Sequence, residues 1–255
     1  MNEIRRIAMW SGPRNISTAM MRSWGSRSDT VVVDEPLYAR YLAADPLLDH
    51  PGREEIIDQC ETDLDAIAAE LTGPLADGKL VHYQKHMSQH LLPGDLSGGG
   101  GAGDELPVWI ASLTNCFLIR DPGEMITSFI KVIPDPTPEQ LGLPQQVRLF
   151  ELVRERTGRV PPVIDSRDVL ENPEGMLRAL CGAVGVRFDA AMLSWEPGAR
   201  ETDGVWGPYW YDSVYRSTGF SPYRAKDEAV PERMSGVHRA CNAMYEALAE
   251  HRLRV

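Results

Sequence analysis

Two stretches of the chain pair a fixed positive charge with hydroxyls at spacings suited to gripping phosphate. The first is Trp10-Ser11-Gly12-Pro13-Arg14-Asn15-Ile16-Ser17-Thr18. A strand that turns tightly into a helix aims free backbone N–H groups and the positive end of the helix dipole at one point. Gly12, Pro13 and Asn15 belong to this candidate phosphate-binding loop. Arg14 adds a permanent charge with a forked donor set, and Ser17 and Thr18 put hydroxyls into the first helical turn. The plainer reading is an ordinary turn with Ser17 as a helix cap. The loop is not a Walker A motif, because the G-x-x-x-x-G-K-[ST] spacing and its lysine are missing, which disfavours a magnesium–ATP enzyme.

The second stretch runs from Phe117-Leu118-Ile119-Arg120-Asp121-Pro122 to Ser128-Phe129. Arg120 ends an apolar run and Ser128 follows eight residues on, about two turns into the next helix. Ligands of open α/β sheets bind at that strand edge, so an arginine and a hydroxyl there can hold a second phosphate. The alternative is that Arg120 pairs with Asp121 or Glu124 on the surface. Two groups qualify as a general base. Glu35, in Asp34-Glu35-Pro36, follows the run Val31-Val32-Val33, and burial would raise its pKa into a useful range. His86, in Tyr83-Gln84-Lys85-His86-Met87, offers an imidazole with a pKa of about 6.5. Each also reads as something plainer, Glu35 as an ion-pair partner of Arg14 or Arg120 and His86 as a polar residue lining a loop. His82, His86 and His90 are spaced four apart, but His82 sits in an apolar stretch, so no metal site is expected.

The elements that must position these residues follow the pattern of an α/β domain. Apolar runs at Ile4–Trp10, Val31–Val33, Leu80–Gln84, Asn115–Ile119 and Val163–Asp165 read as short strands. Helices are expected at Ser17–Trp24, Arg53–Leu71, after Pro122, at Leu149–Arg156, Pro173–Val184 and Glu232–Glu250. The valine run is continuous rather than alternating, as in strands covered on both faces. Strands alternating with helices predict a three-layer, mostly parallel sheet flanked by helices, with right-handed crossovers. One domain over residues 1–255 is expected, with a mobile glycine-rich loop at 94–104.

These motifs, in this order, resemble the sulfotransferases that use 3'-phosphoadenosine 5'-phosphosulfate (PAPS). The first stretch is similar to that family's 5'-phosphosulfate loop, the second to its 3'-phosphate motif. Val163-Ile164-Asp165 through Pro173 to Gly185 is similar to its strand, turn and following helix. The resemblance spans roughly Ile4 to Gly219 and implies a P-loop NTPase-like sulfotransferase fold. It places Arg14 beside the leaving phosphate, Ser17 and Thr18 on the 5'-phosphate, and Arg120 and Ser128 on the 3'-phosphate. Lys85 and His86 are similar to the lysine and histidine of the cytosolic branch, and Glu35-Pro36 to the turn of the carbohydrate-type branch, which is favoured here together with Arg14. Two features depart from the family. Ala19, Met20 and Met21 stand where many members have a tryptophan stacked on adenine, and the late Arg-Lys-Gly loop has its nearest counterpart at Gly198-Ala199-Arg200.

The resemblance implies sulfuryl transfer from PAPS to a hydroxyl or amine of a small-molecule acceptor, without a metal, leaving 3',5'-bisphosphoadenosine. A P-loop kinase or hydrolase and a non-catalytic nucleotide-binding protein are the alternatives. Seven aromatics between Trp206 and Tyr223 form a cap segment within residues 197–224, suited either to lining an organic acceptor site or to packing over the sheet edge. A net charge of −11 argues against nucleic acid and anionic membrane partners. Four scattered cysteines read as reduced thiols. Met1–Trp10 has no signal-like apolar region and no apolar run nears the ~18 residues of a membrane helix, so a cytoplasmic protein is expected. Monomer and homodimer both remain open.

Overall fold

The computed structural model describes residues 4–96 and 105–255; most of the glycine-rich stretch at 94–104 therefore lies outside the described residues. In chain order the elements begin with β1 (Arg5–Ser11), α1 (Ser17–Gly25), β2 (Thr30–Asp34), α2 (Tyr38–Ala44), α3 (Arg53–Gln59), α4 (Leu64–Thr72) and β3 (Val81–Met87). They continue with α5 (Val108–Ala111), β4 (Thr114–Ile119), α6 (Pro122–Phe129), α7 (Leu143–Thr157), β5 (Val163–Asp165), α8 (Ser166–Glu171) and α9 (Pro173–Ala183). The last are α10 (Gly207–Trp210), α11 (Asp212–Tyr215) and α12 (Ser235–Ala249). The sheet, expected to be mostly parallel, is parallel throughout its five strands, in the order β2-β3-β1-β4-β5.

Strand side chains alternate between the two faces, and the core divides accordingly. Ile7, Met9, Tyr83, Cys116 and Leu118 pack with Met20, Met21 and Trp24 of α1 and Leu177 and Leu180 of α9. Ala8, Trp10, Phe117 and Ile119 pack with Ile67 and Leu71 of α4, Leu149 and Phe150 of α7, and Leu248 of α12. Helices therefore cover both faces, and the central stretches Ile7–Trp10 of β1 and Cys116–Ile119 of β4 are apolar at every position.

Most bounds shift by a residue or more, and three of the differences bear on packing or the site. The helix predicted over Arg53–Leu71 is two helices, because Cys60 is extended and the Asp63 carboxylate accepts from the Ala66 N–H at 2.8 Å, capping a new start. α7 begins at Leu143, six residues before the predicted start, where Gly142 takes φ 76° ahead of Pro144. β3 runs on to Met87, so Lys85 and His86 belong to the strand rather than to a loop beyond it. The sequence hid this because Gln84, Lys85 and His86 are polar yet fully buried.

At the end of β1 the chain passes Gly12 in a narrow gap. A Cβ there would lie 2.6 Å from both the Leu141 carbonyl oxygen and the Met125 methyl, and the carbonyl belongs to backbone that cannot swing aside. Gly12→Ala is expected to lower stability by about 1–3 kcal/mol, the usual cost of overpacking. A urea midpoint unchanged from wild type would contradict this.

Candidate active site

The carboxyl ends of β1, β2, β3 and β4 open on one cleft of about 320 Å³. One wall is the β1–α1 loop, where Pro13, Arg14, Asn15, Ser17 and Thr18 all line the cavity. The loop is tied to β4 on both sides of its turn. Arg120 donates to the Arg14 carbonyl at 2.6 Å, and the Asn15 amide donates to the Leu118 carbonyl at 3.2 Å. Arg14 Nε donates to Ser128 Oγ at 3.0 Å. Ser17 is the first residue of α1 and not its cap: Ile16 holds the cap position, and no side chain closes it. The Ser17 and Thr18 hydroxyls are thereby left to the cleft.

Arg120 and Ser128 also line the cavity. Arg120 keeps the ion pair with Glu124 that the sequence offered as its alternative, but mostly buried rather than on the surface, with Nη2 2.7 Å from Glu124, while Tyr223 donates to the other Glu124 oxygen at 2.7 Å. Arg14 pairs with no carboxylate among the described residues. Burial and the neighbouring Arg120 charge lower its pKa, so an anion arriving between the two guanidiniums relieves their mutual repulsion.

Across the cleft stands Glu35, on the turn after β2. Arg14 at φ 57° and Glu35 at φ 39° are the two non-glycine residues with left-handed backbone among the described residues. That conformation costs on the order of 1–3 kcal/mol per residue and persists where the surroundings impose it. The imposition at Glu35 is visible. Its N–H donates to the Lys85 carbonyl at 2.9 Å, and one carboxylate oxygen is held by the Lys85 ammonium in a short ion pair. Lys85 Nζ also donates to Asp34 at 2.8 Å and to Tyr211 Oη at 2.7 Å. Tyr211 donates to Asp34 at 2.8 Å, and the Gly204 N–H at 3.0 Å completes that carboxylate.

Charges placed this deep act strongly on each other. Burial, joined by Asp34, pushes the Glu35 carboxyl above the usual carboxylate range against the pull of Lys85. Burial would lower the Lys85 ammonium, but Asp34 and Glu35 outweigh it and hold its pKa above the ordinary lysine value. The second Glu35 oxygen faces His90 Nε2 at 4.0 Å, and Tyr38, His50 and Trp210 continue this side of the cavity. One strained residue thus brings a cation to the cleft and the other brings a carboxylate of raised basicity.

A family model for the sulfotransferase domain matches residues 5–250. The chain belongs to the sulfotransferase-domain family. It is 35% identical over 252 residues to branched-chain-amino-acid aminotransferase-like protein 1 of Arabidopsis thaliana, covering 98% of this chain and 43% of that protein. Protein 2 of the same name and plant is 33% identical over 247 residues, covering 96% and 41%. The chain spans about two-fifths of the length of these curated relatives. Among solved structures, the sulfotransferase from Alicyclobacillus acidocaldarius superposes with a TM-score of 0.54 at 14% identity, covering 98% of this chain and 97% of that one, a likeness of fold.

Within this sulfotransferase domain, the structure brings Arg14, Ser17, Thr18, Arg120, Ser128 and Glu35 to one cavity. It leaves three of the residues singled out in the sequence away from the cavity wall. Gly12 is packed behind the loop. Lys85 lies beneath Glu35 with its side chain 1% exposed. His86 faces the opposite side of β3, stacked on Trp10 at 4.2 Å and bonded to Gln84 at 3.1 Å, with its pKa driven down to about 3 by burial and by His82. Strand alternation explains the last two: Lys85 and His86 must point to opposite faces once both lie in β3.

The aromatic segment packs as a cap and also reaches the cavity. Trp206 and Tyr211 pack against Tyr38, Leu42 and Ile56, while Trp210 and Tyr211 also line the cleft. Arg22 of α1 anchors the segment through a bidentate pair with Asp203 at 2.6 and 2.7 Å. Arg200, in the stretch nearest to the family's late Arg-Lys-Gly loop, is absent from the cavity lining. Sequence reasoning missed Asp34, Tyr211 and His90 as site residues. Tyr211 lies 177 positions from the carboxylate it serves, a contact that no local pattern announces.

Two expected outcomes follow from the buried charges. Lys85→Ala leaves two buried carboxylates uncompensated and is expected to cost about 3–5 kcal/mol in denaturant unfolding at neutral pH. A cost near that of a surface lysine would contradict the arrangement. A carboxyl whose folded pKa is raised contributes stability that is full below its unfolded pKa and lost as pH rises through the folded one. Glu35→Gln, the neutral isostere, is therefore expected to unfold at a higher temperature than wild type at neutral pH, with the gap closing as the pH is lowered below about 4. A variant less stable than wild type at neutral pH would overturn the direction given for Glu35.

Proposed function

We propose that this sulfotransferase domain moves a sulfuryl group from PAPS to a hydroxyl or amine of a small acceptor, with Glu35 as the base. The observation that carries the reading is the convergence of Arg14 and Glu35, both in strained backbone, on one cavity between the strand tips. Ser17, Thr18 and the first turn of α1 suit the 5'-phosphate, and Arg120 with Ser128 suits the 3'-phosphate. Arg120 would then share its guanidinium between Glu124 and the nucleotide.

In this reading the acceptor's oxygen or nitrogen attacks sulfur on the side opposite the nucleotide, and its proton passes to the Glu35 oxygen that Lys85 leaves free. The bond from sulfur to the bridging phosphate oxygen breaks, and its electron pair stays on the leaving phosphate beside Arg14. Arg14 and Arg120 supply the positive charge the step requires, and no metal is assigned a part. Lys85 acts as a positioning residue, holding Glu35 from below. Trp210 and Tyr211 bound the acceptor side.

Calorimetric titration with 3',5'-bisphosphoadenosine, beside ADP and ATP with magnesium, tests the nucleotide assignment. Binding of the bisphosphate without metal, weakened at least about ten-fold in Arg120→Ala, is expected from loss of a charge-assisted contact. Preference for ATP with magnesium would contradict the reading and favour a kinase or hydrolase. In turnover with PAPS, Glu35→Gln is expected to lower kcat by about 10²–10⁴-fold, the usual contribution of a general base, while leaving bisphosphate affinity near wild type. Full activity in that variant would remove Glu35 from its role.

A further inference from the structure

His90 is a buried imidazole that neither the fold nor the nucleotide assignment accounts for. It ends the 3-10 turn Ser88–His90 after β3 and lines the cavity, although it is only 2% exposed. Both faces of its ring are occupied. Tyr38 stacks on it at 4.6 Å with the planes 2° apart, and Tyr41 stacks at 4.9 Å. The ring is therefore fixed in orientation, and the edge it presents carries Nε2 towards the second oxygen of Glu35 at 4.0 Å. Its Nδ1 is buried and makes no hydrogen bond. A buried polar atom without a partner is uncommon and calls for a reason.

The groups around it set its charge and tautomer. Glu35 stands on the turn after β2, Tyr38 and Tyr41 on α2, His50 on the loop that follows, and Lys85 and His86 on β3. Burial, with His50, Lys85 and His86 adding to it, holds His90 well below the ordinary histidine value, so the ring is neutral. A neutral imidazole facing a carboxylate keeps its proton on the nitrogen nearest to it. Nε2–H then points at Glu35, and Nδ1 is left as a lone pair, the less costly of the two atoms to bury alone.

We propose that His90 is the positioning residue for the base: its Nε2–H fixes the Glu35 oxygen that Lys85 does not hold. This rests on the reading of Glu35 as the base. Lys85 engages one carboxylate oxygen of Glu35, and that oxygen is a poor proton acceptor because it already accepts a strong charge-assisted bond. The other oxygen must take the proton, and His90 is the group that faces it. Closing 4.0 Å to hydrogen-bond length takes a shift of about 1 Å. An N–H bonded to the ionised carboxylate favours that form and keeps the base deprotonated at lower pH. The imidazole assigned to the chemistry is thus the one four residues beyond His86, and it acts through Glu35.

Two substitutions separate this role from packing. His90→Phe keeps a ring between the two tyrosines and removes the N–H, while His90→Gln places an N–H near the position of Nε2. The carboxyl of Glu35 is titrated by infrared difference spectroscopy, assigned through Glu35→Gln, in the full chain and without substrate. The titration is expected to move to higher pH in His90→Phe and to return towards wild type in His90→Gln. In turnover, kcat is expected to fall about ten- to a hundred-fold in His90→Phe with KM for PAPS unchanged, and to recover in His90→Gln. An unmoved Glu35 titration in His90→Phe would overturn the proposal, as would equal loss in both variants. If wild type transfers no sulfuryl group, the proposed function fails, and the titration alone decides whether His90 governs Glu35.

Discussion

A lysine inside a parallel sheet has to be neutralised where it stands, and much of the site follows from how this is done for Lys85. Its ammonium is 1% exposed and meets Asp34, Glu35 and Tyr211 at once. Asp34 ends β2, the strand beside β3, so one counter-charge is supplied by sheet register. The second requires the chain to turn back at Glu35 into left-handed backbone. Tyr211 then draws the segment after residue 203 across the strand tips, and Trp206 donates to its hydroxyl at 2.9 Å. The wall of the cleft, the pose of Glu35 and the seating of the aromatic cap are thus consequences of one buried charge. Such a cluster gives specificity of arrangement more readily than net stability, because desolvation offsets much of the Coulombic gain.

The opposite wall solves a different problem. The chain carries a net charge of −11, so no long-range field gathers anions to it. Positive potential has to be local, and it is built from Arg14, Arg120 and the start of α1. Arg120 braces the loop through the Arg14 carbonyl, and Gln146 of α7 donates to the carbonyls of Trp10 and Leu118 at 2.9 and 3.1 Å, locking the ends of β1 and β4 together. A cation held near a second cation, in backbone imposed by its neighbours, is preorganised for an anion and needs little rearrangement to receive one.

Much of this was legible in the sequence because the signals were local. Short, mainly apolar runs of three to seven residues gave the strands, and the break at Ser11-Gly12-Pro13 gave the turn into α1. The eight-residue step from Arg120 to Ser128 placed both on the same wall. Where the reading went astray, a local signal was read with the wrong period or a distant one was invisible. Gln84-Lys85-His86 looks like the polar start of a loop, yet it pairs with the neighbouring strands as part of β3 and is buried against Leu71, Asp34 and Trp10. Ending the strand at Gln84 left open which way His86 pointed, and extending it to Met87 turns that ring away from the cleft. His90 stood out only in a histidine spacing set aside as a metal site, and Tyr211 only as one aromatic of the cap segment. They matter because the fold delivers them to Glu35 from a 3-10 turn and from a segment more than a hundred residues downstream.

The central claim is that the two strained residues face each other across the reacting group, with the nucleotide on the Arg14 side and the acceptor on the Glu35 side. A crystal structure with 3',5'-bisphosphoadenosine bound tests it most directly. The account predicts the 5'-phosphate at Ser17, Thr18 and Arg14, the 3'-phosphate at Arg120 and Ser128, and open space between the 5'-phosphate and Glu35 for the acceptor. A bisphosphate bound with its phosphates away from Arg14 and Arg120, or with its adenine filling the space before Glu35, would contradict it.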